Sequence, residues 1–358
     1  MKVAVIYNEP KNTASEDHWL RRSDPEYHAP TADFIDASEF GVLIEMRSIA
    51  RALSEQGHDV SIFSADDNPR RLCSFLTDDR PDVIFNCCES ILGESKLELN
   101  VAAMYELFGI PYTGSGPLAL GLSLDKALAK TVFVTNGIPT PRHQLFKDSE
   151  AIDPILRFPL IVKPVHEDAS IGIDANAIVQ DPEALLRRVR FIQNEFEQPA
   201  LAEEFIEGRE LNVAVLATSE GNFEALPISE ITFGNVPNGM PRIVSYEAKW
   251  VEDSPMYRAT VPECPANISG ETASRARAIA LRAAVTVGLR DYGRVDMRMD
   301  AGGNLFVLEA NPNPDISEDA GFMRAARASG RSFDGTINEI LNCAVARAKL
   351  LVTRKRAA

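Results

Sequence analysis

The chain has 358 residues and a formal net charge of −15, with a pI near 4.9. That length can bury a large core and calls for two or three domains, while the negative charge excludes a counterion-releasing nucleic-acid binder or a protein docked on anionic lipid. Five cysteines without a C-x-x-C pair exclude a disulfide framework or zinc knuckle; with no apolar leader and no run near the ~20 apolar residues of a membrane span, a cytoplasmic protein is expected.

In chain order, Val3 to Tyr7 reads as a strand, about Phe40 to Gln56 as a helix, Asp59 to Phe63 as a strand, Asp82 to Asn86 as a buried run and about Leu97 to Phe108 as a helix. Short apolar runs alternating with amphipathic helices predict a parallel α/β sheet, with ligands at the carboxyl ends of its strands. The polar segment Asn8 to Asp36 is too long for an ordinary βα loop and reads equally as a lid, an arm or a passive insertion.

A second region follows Thr113-Gly114-Ser115-Gly116. Leu124 to Thr135 is predicted helical and is stopped by Asn136-Gly137-Ile138-Pro139-Thr140-Pro141. Strand Leu160 to Lys163, a loop of small residues, a helix about Pro182 to Asn194 and strand Ala200 to Glu204 come next. The third region has strands near Glu210 to Ala217, Glu224 to Ile231, Arg294 to Met299 and Leu305 to Glu309, and an Ala/Arg-rich helix from about Gly270 to Val287. Gly302-Gly303-Asn304 signals a hairpin between the last two strands.

Three stretches carry chemistry. Around that hairpin, Arg294 and Asp296 share one face by the period-2 rule, Glu309 and Asn311 obey it on the partner strand, and one sheet face is expected to gather all four. Two carboxylates and an amide suit Mg2+ held together with nucleotide phosphates, and the guanidinium can neutralise a transferring phosphoryl group or an oxyanion. The bland alternative is an exposed hairpin with ordinary salt bridges. In the second stretch, Lys163 ends an apolar strand and is followed by His166, Glu167, Asp168, Ala169, Ser170 and Gly172. A lysine there can hold phosphates beneath backbone N–H groups, without Walker A spacing. In the third, Leu201 to Leu211, an apolar strand runs into Glu203, Glu204, Phe205 and Ile206 and then Glu210. A strand edge, an apolar residue and a carboxylate can serve an adenosine, and solvated acids are the alternative.

Together with Pro111-Tyr112-Thr113-Gly114-Ser115-Gly116, Leu124-Asp125-Lys126, Phe158-Pro159-Leu160-Ile161-Val162-Lys163-Pro164, Tyr246-Glu247-Ala248-Lys249, Gly293-Arg294-Val295-Asp296 and Leu308-Glu309-Ala310-Asn311, these blocks resemble the D-alanine:D-alanine ligase family of the ATP-grasp superfamily. The resemblance runs from about Asp82 to Phe333. It implies an α/β N-terminal parallel-sheet domain (1–122), followed by an α+β ATP-grasp unit in two subdomains, a central one (123–208) and a C-terminal one with the metal site (209–350). It further implies an ATP-dependent carboxylate-amine ligase working through an acyl phosphate, with two Mg2+ ions for which Mn2+ can substitute, small-molecule carboxylate and amine substrates, and a homodimer.

Carried over by the resemblance, Lys126, Lys163 and the Ser170 loop would contact ATP phosphates and Glu203 the adenine amino group. Glu204, Phe205 and Ile206 would border the adenine, and Glu210 would take the ribose. Asp296, Glu309 and Asn311 would bind the metal. Arg294 would neutralise the acyl phosphate, and Lys249 would close over the γ-phosphate on a mobile loop.

The departures fall on the amino-acid pocket. The family joins a Glu near the first helix to a Ser in the phosphate loop and a Tyr after the lid lysine; here the last two positions read Ala169 and Trp250, and Glu39 lies near the first. A family His is replaced around Cys87-Cys88-Glu89-Ser90 by Glu89, and a family Ser falls on Ala320. Glu39, Glu89, Trp250 and Asp315 are therefore the expected substrate residues. The extra acids Glu89, Asp168, Asp315, Glu318 and Asp319 suit an amine-bearing or cationic substrate, with solvated loop charge as the alternative. A true D-alanine:D-alanine ligase and a non-catalytic nucleotide-binding module remain the rival readings.

Overall fold

The computed structural model describes residues 1–8, 37–65, 68–147, 151–218 and 221–357, with side chains described from residue 42 in the first helix and to residue 349 in the last. Three sheets follow one another along the chain. Strands β1 (Lys2–Tyr7), β2 (Asp59–Ser64) and β3 (Val83–Cys87) form a parallel sheet in the order β2-β1-β3. Val3 and Val5 point into one core, against Met46, Ile49 and Leu53 of the helix Ala37–Ser54. Ala4 and Ile6 point into another, against Leu72, Leu76 and Tyr105. A strand buried on both faces reads as an unbroken apolar run. A helix at Pro69–Asp78 was not expected, although Asn68 caps its N-terminus and Pro69 opens it.

Strands β4 (His143–Phe146), β5 (Leu160–Pro164), β6 (Ile178–Val179) and β7 (Ala200–Glu204) make an antiparallel sheet in the order β4-β7-β5-β6. Leu160, Val162, Ala200 and Ala202 pack on Leu185, Val189 and Ile192 of the helix Pro182–Phe196. By alternation Lys163 and Glu203 fall on the other face. The expected single helix over Leu124 to Thr135 begins instead at Lys126, because extended Asp125 ends the helix Pro117–Leu124 and accepts a hydrogen bond from the Leu128 N–H to start the next.

The third sheet runs β11-β10-β8-β12-β13, with β9 also paired to β8, all antiparallel. Its strands are β8 (Arg209–Ala217), β9 (Phe223–Ala225), β10 (Ser229–Phe233), β11 (Thr260–Glu263), β12 (Tyr292–Met299) and β13 (Leu305–Asn311). The strand expected over Glu224 to Ile231 is thus two, interrupted at Pro227, which has no N–H for the ladder. Leu211, Val213, Val295, Met297, Leu305 and Val307 pack on the alanine-rich face of the helix Gly270–Val287.

The last helix, Phe333–Ala357, returns to the first sheet. Ile337, Ile340 and Leu341 are fully buried with Val3, Val5, Phe85, Ala214 and Tyr292, so one core is shared between the beginning and the end of the chain. Each such side chain contributes about 1.5–3 kcal/mol. Arg347 secures the same junction, donating to Asp291 Oδ2 at 2.6 Å and to the Tyr112 carbonyl at 2.8 Å. Among the described residues no helix is long and apolar enough to cross a membrane.

Candidate active site

The hairpin of β12 and β13 supplies the centre. Arg294 lies opposite Asn311 and Asp296 opposite Glu309, but the register slips between Asp296 and Met297, which faces Val307. Leu308 is the extra residue, a β-bulge. The bulge has a definite consequence: Leu305 and Val307 face the core, so without it Glu309 and Asn311 would face the core too. Asp296 accepts both Nε and Nη2 of Arg294 at 2.8 Å, and Asn212 of β8 donates to it at 2.7 Å. Glu309 Oε2 lies 3.9 Å from the Lys126 ammonium. Burial raises the Glu309 pKa, but Lys126, Lys163, Arg294 and Lys249 outweigh it and bring it below the usual carboxylate value.

Asp296, Glu309 and Asn311 offer two carboxylates and an amide, the hard oxygen donors a divalent cation takes. Among the described residues no three His, Cys, Asp or Glu side chains converge as an all-protein cage. The donor chemistry therefore fits the group, provided Arg294 turns away from Asp296.

The lysines lie on the neighbouring walls. Lys126 donates to the Glu167 carbonyl and to Asp168 Oδ1, the latter at 2.8 Å. Asp168 is thereby spent on a lysine and is not a free acid for the substrate. Lys163 is held 2.7 Å from Glu203 Oε1. Glu203, expected at the adenine, is buried between Lys163 and Lys130. Glu204 points to the opposite side of the sheet, where Oε1 accepts the Arg157 N–H at 3.1 Å; period-2 alternation takes its side chain out of the cleft.

Half-buried Phe205 and Ile206 follow β7, with the Arg298 guanidinium 4.9 Å over the Phe205 ring. Arg298 also donates to Glu210 at 3.2 Å and to the Gly208 carbonyl at 3.0 Å. At Gly208, φ is +146° and a Cβ would stand 2.1 Å from the Met299 carbonyl oxygen, so only glycine fits this close crossing.

The loop after β5 is closed by the short helix Tyr246–Trp250. Ala169 and Ser170 both hold left-handed backbone, at φ 53° and 64°, a strained arrangement for residues with a Cβ. The Trp250 indole donates to the Ala169 carbonyl at 2.9 Å and Ser170 Oγ to the Val244 carbonyl at 2.8 Å. The Ser170 hydroxyl is thus spent on the segment before that helix, and only its backbone stays open to the phosphate role expected of it. Trp250, expected at the substrate, lies over this loop, with the Lys249 ammonium 4.8 Å from the centre of its ring. The Lys249 pKa is lowered, first by the crowding of the cleft and then by Arg294.

Across the cleft the acids gather. Asn8 Oδ1 accepts the N–H groups of Glu89 at 2.6 Å and Ser90 at 3.2 Å. Asn313 donates to the Cys88 carbonyl and to Glu98, fixing the segment that carries Asp315 and Asp319. Glu45 of the first helix joins them, with its pKa pushed up to about 8 by burial and then by Asp315, Glu89 and Asp319. Glu39 lies in the helix Ala37–Ser54, but its side chain, like residues 9–36, lies outside what is described.

Sequence reasoning missed Lys130, Asn212, Arg298 and Glu45. The first is one helical turn beyond Lys126, and the next two sit two residues from Glu210 and Asp296, so the same periodicities could have found them. Glu45 has no local signal.

Comparison with known proteins agrees with this geometry. The family model described as D-ala D-ala ligase C-terminus matches residues 130–342. The chain is 36% identical over 304 residues to the uncharacterized protein y4sG of Sinorhizobium fredii, covering 83% of this chain and 86% of that one. It is 33% identical over 295 residues to the D-alanine–D-alanine ligase of Bordetella petrii, covering 81% and 83%. The fold matches the D-alanine–D-alanine ligase of Bacillus anthracis complexed with ATP at a TM-score of 0.72 and 18% identity, over 98% of this chain and 99% of that one. The chain belongs to the D-alanine–D-alanine ligase family of ATP-grasp enzymes, ATP-dependent ligases that form C–N bonds and use divalent metal ions.

Proposed function

We propose that the protein phosphorylates a small carboxylate, an amino acid or a similar acid, and joins an amine to the acyl phosphate, releasing ADP and phosphate. The observation that carries this reading is the meeting of Arg294, Asp296, Glu309 and Asn311 on one sheet face, with Lys126 3.9 Å from Glu309. In it, Lys126 and Lys163 bind ATP phosphates, Phe205 and Ile206 border the adenine, Glu210 takes the ribose, and Asp296, Glu309 and Asn311 hold two Mg2+ ions. When bound, those ions neutralise phosphate oxygens. Arg294 leaves Asp296 to stabilise the acyl phosphate and the oxyanion that the amine creates. Lys249 and the Trp250 latch keep water from the mixed anhydride. No side chain needs to act as nucleophile; positioning and electrostatics supply the rate.

Residues 1–122, 123–208 and 209–350 are taken as the three units of a homodimeric enzyme. The wall of Glu45, Glu89, Asp315 and Asp319 supports an acceptor that carries a cationic group besides its reacting amine. The test is ADP release across D- and L-amino acids, dipeptides and polyamines, with hydroxylamine trapping and mass spectrometry of products. An amide from a pair other than D-alanine with itself supports the reading. D-alanyl-D-alanine as the sole product would favour a cell-wall ligase, and ADP without hydroxamate or amide would sink acyl transfer altogether.

A further inference from the structure

Behind the cleft lie three charged side chains with almost no water around them: Lys130 is fully buried, Glu203 is 2% exposed and Lys163 5% exposed. Glu203 holds Lys163 through Oε1 at 2.7 Å and Lys130 through Oε2 at 2.6 Å. The Lys130 ammonium also donates to Thr140 Oγ1 at 3.0 Å, and that hydroxyl donates to the Val307 carbonyl at 2.8 Å. Lys130 is thereby anchored to β13, two residues before Glu309. Two cations share one carboxylate, so the trio itself has one positive charge in excess, and the Glu309 and Glu210 carboxylates on the neighbouring strands only partly offset it.

Such an excess is costly in a protein interior unless an anion meets it. A simple buried pair would be cheaper, and in it Lys163 would be neutralised by Glu203 and tied to it. Turning Lys163 toward another anion would then strand a buried carboxylate, which is costly once one partner of a buried pair is removed. With Lys130 present, Glu203 keeps a partner when Lys163 turns.

We propose that Lys130 is a positioning residue for nucleotide phosphates: by sharing the Glu203 carboxylate, it leaves the charge of Lys163 free to meet a phosphate in the cleft. The proposal rests on the reading of Lys163 as a phosphate ligand.

Burial lowers the Lys130 pKa, with Glu203 opposing. Burial also acts to raise that of Glu203, but Lys130 and then Lys163 bring it down to about 2. The carboxylate therefore stays ionised at neutral pH.

The test is calorimetric binding of MgATP and of adenosine to the wild-type chain, Lys130→Met and the double variant Lys130→Met/Glu203→Gln. Lys130→Met should weaken MgATP by ~10-fold or more and adenosine by no more than ~2-fold, because the change acts on phosphate through one charge. Adding Glu203→Gln should restore MgATP to within ~3-fold of wild type, since Lys163 then has no carboxylate to neutralise it. Equal losses for MgATP and adenosine, an unchanged MgATP affinity, or no recovery in the double variant would each overturn the proposal. Lys130→Gln, which keeps a donor toward Thr140, takes the place of Lys130→Met if the latter does not fold. A wild-type chain that binds no MgATP would instead refute the nucleotide reading beneath it.

Discussion

The two walls of the cleft treat charge in opposite ways. On the wall of β5, β7, β8, β12 and β13, each acid meets a base: Asp296 meets Arg294, Glu210 meets Arg298, Glu203 meets two lysines and Glu309 faces Lys126. On the wall of the first helix, residues 87–90 and residues 313–319, acids meet acids. Burial and then Asp315 push the Glu89 pKa up to about 7, and Glu45 rises to about 8. The balanced wall pairs its charges with one another, and in the proposed reaction phosphate and metal exchange into those pairs as Arg294 and Lys163 turn. The unbalanced wall holds acids against acids, and it is where the sequence is expected to depart from the family it resembles.

Breaking the balanced wall should cost most. Glu309→Gln should lower ADP release by ~10^3-fold or more, because it removes a metal-binding carboxylate; a stopped assay with a melting curve checks that the fold survives. Arg294→Lys should lower kcat by about 10^2-fold, since an ammonium cannot replace the two-pronged guanidinium at a developing oxyanion. Steady-state kinetics would show whether KM moves instead, which would place Arg294 in binding alone.

The lid joins the two walls and gives a smaller effect. Trp250→Phe keeps the ring but loses the hydrogen bond to the Ala169 carbonyl. A bond worth about 1 kcal/mol predicts roughly fivefold less coupled product per ADP, with the remainder lost to hydrolysis. An unchanged product-to-ADP ratio would remove the latch.

The smallest effect sharpens the acidic wall. The folded Glu45 pKa, about 8, is raised from the ordinary 4.5, so the folded state holds the proton more tightly than the unfolded one. Its stabilising contribution is full below about pH 4.5 and is lost as pH rises through about 8. The groups acting on it are Asp315, Glu89 and Asp319, and Cys87 lies within its field. Calorimetry from pH 5 to 9 should find a flatter decline in Tm for Glu45→Gln, which should melt about 2 °C above wild type at pH 8. Parallel curves would mean that the wall is screened by solvent.

Much of the balanced wall was legible because strand periodicity is local. Alternation put Arg294 with Asp296, and Glu309 with Asn311. That the two pairs share one face was also expected, but alternation alone did not establish it, since it depends on the bulge at Leu308. The same rule, had it been applied to Glu204, would have kept it out of the cleft, where it was expected beside the adenine; its side chain instead accepts the Arg157 N–H on the other side of the sheet. The acidic wall was legible only in part. Glu89 and Asp315 were suspected, whereas Glu45 comes from a helix whose facing partners lie 44 and 270 residues away in Glu89 and Asp315, and nothing in its own neighbourhood announces that meeting. The helix Phe333–Ala357 was missed for a related reason: its buried face is matched to strands at the far end of the chain.

That shared core makes the order of synthesis matter. Strands β1 to β3 leave the ribosome early, but one of their two faces is only partly covered by Met46, Ile49 and Leu53 until Ile337, Ile340 and Leu341 arrive to complete it. The first sheet is therefore a late finisher despite being first made, and a nascent chain stalled before residue 337 should present Val3, Val5 and Phe85 to chaperones.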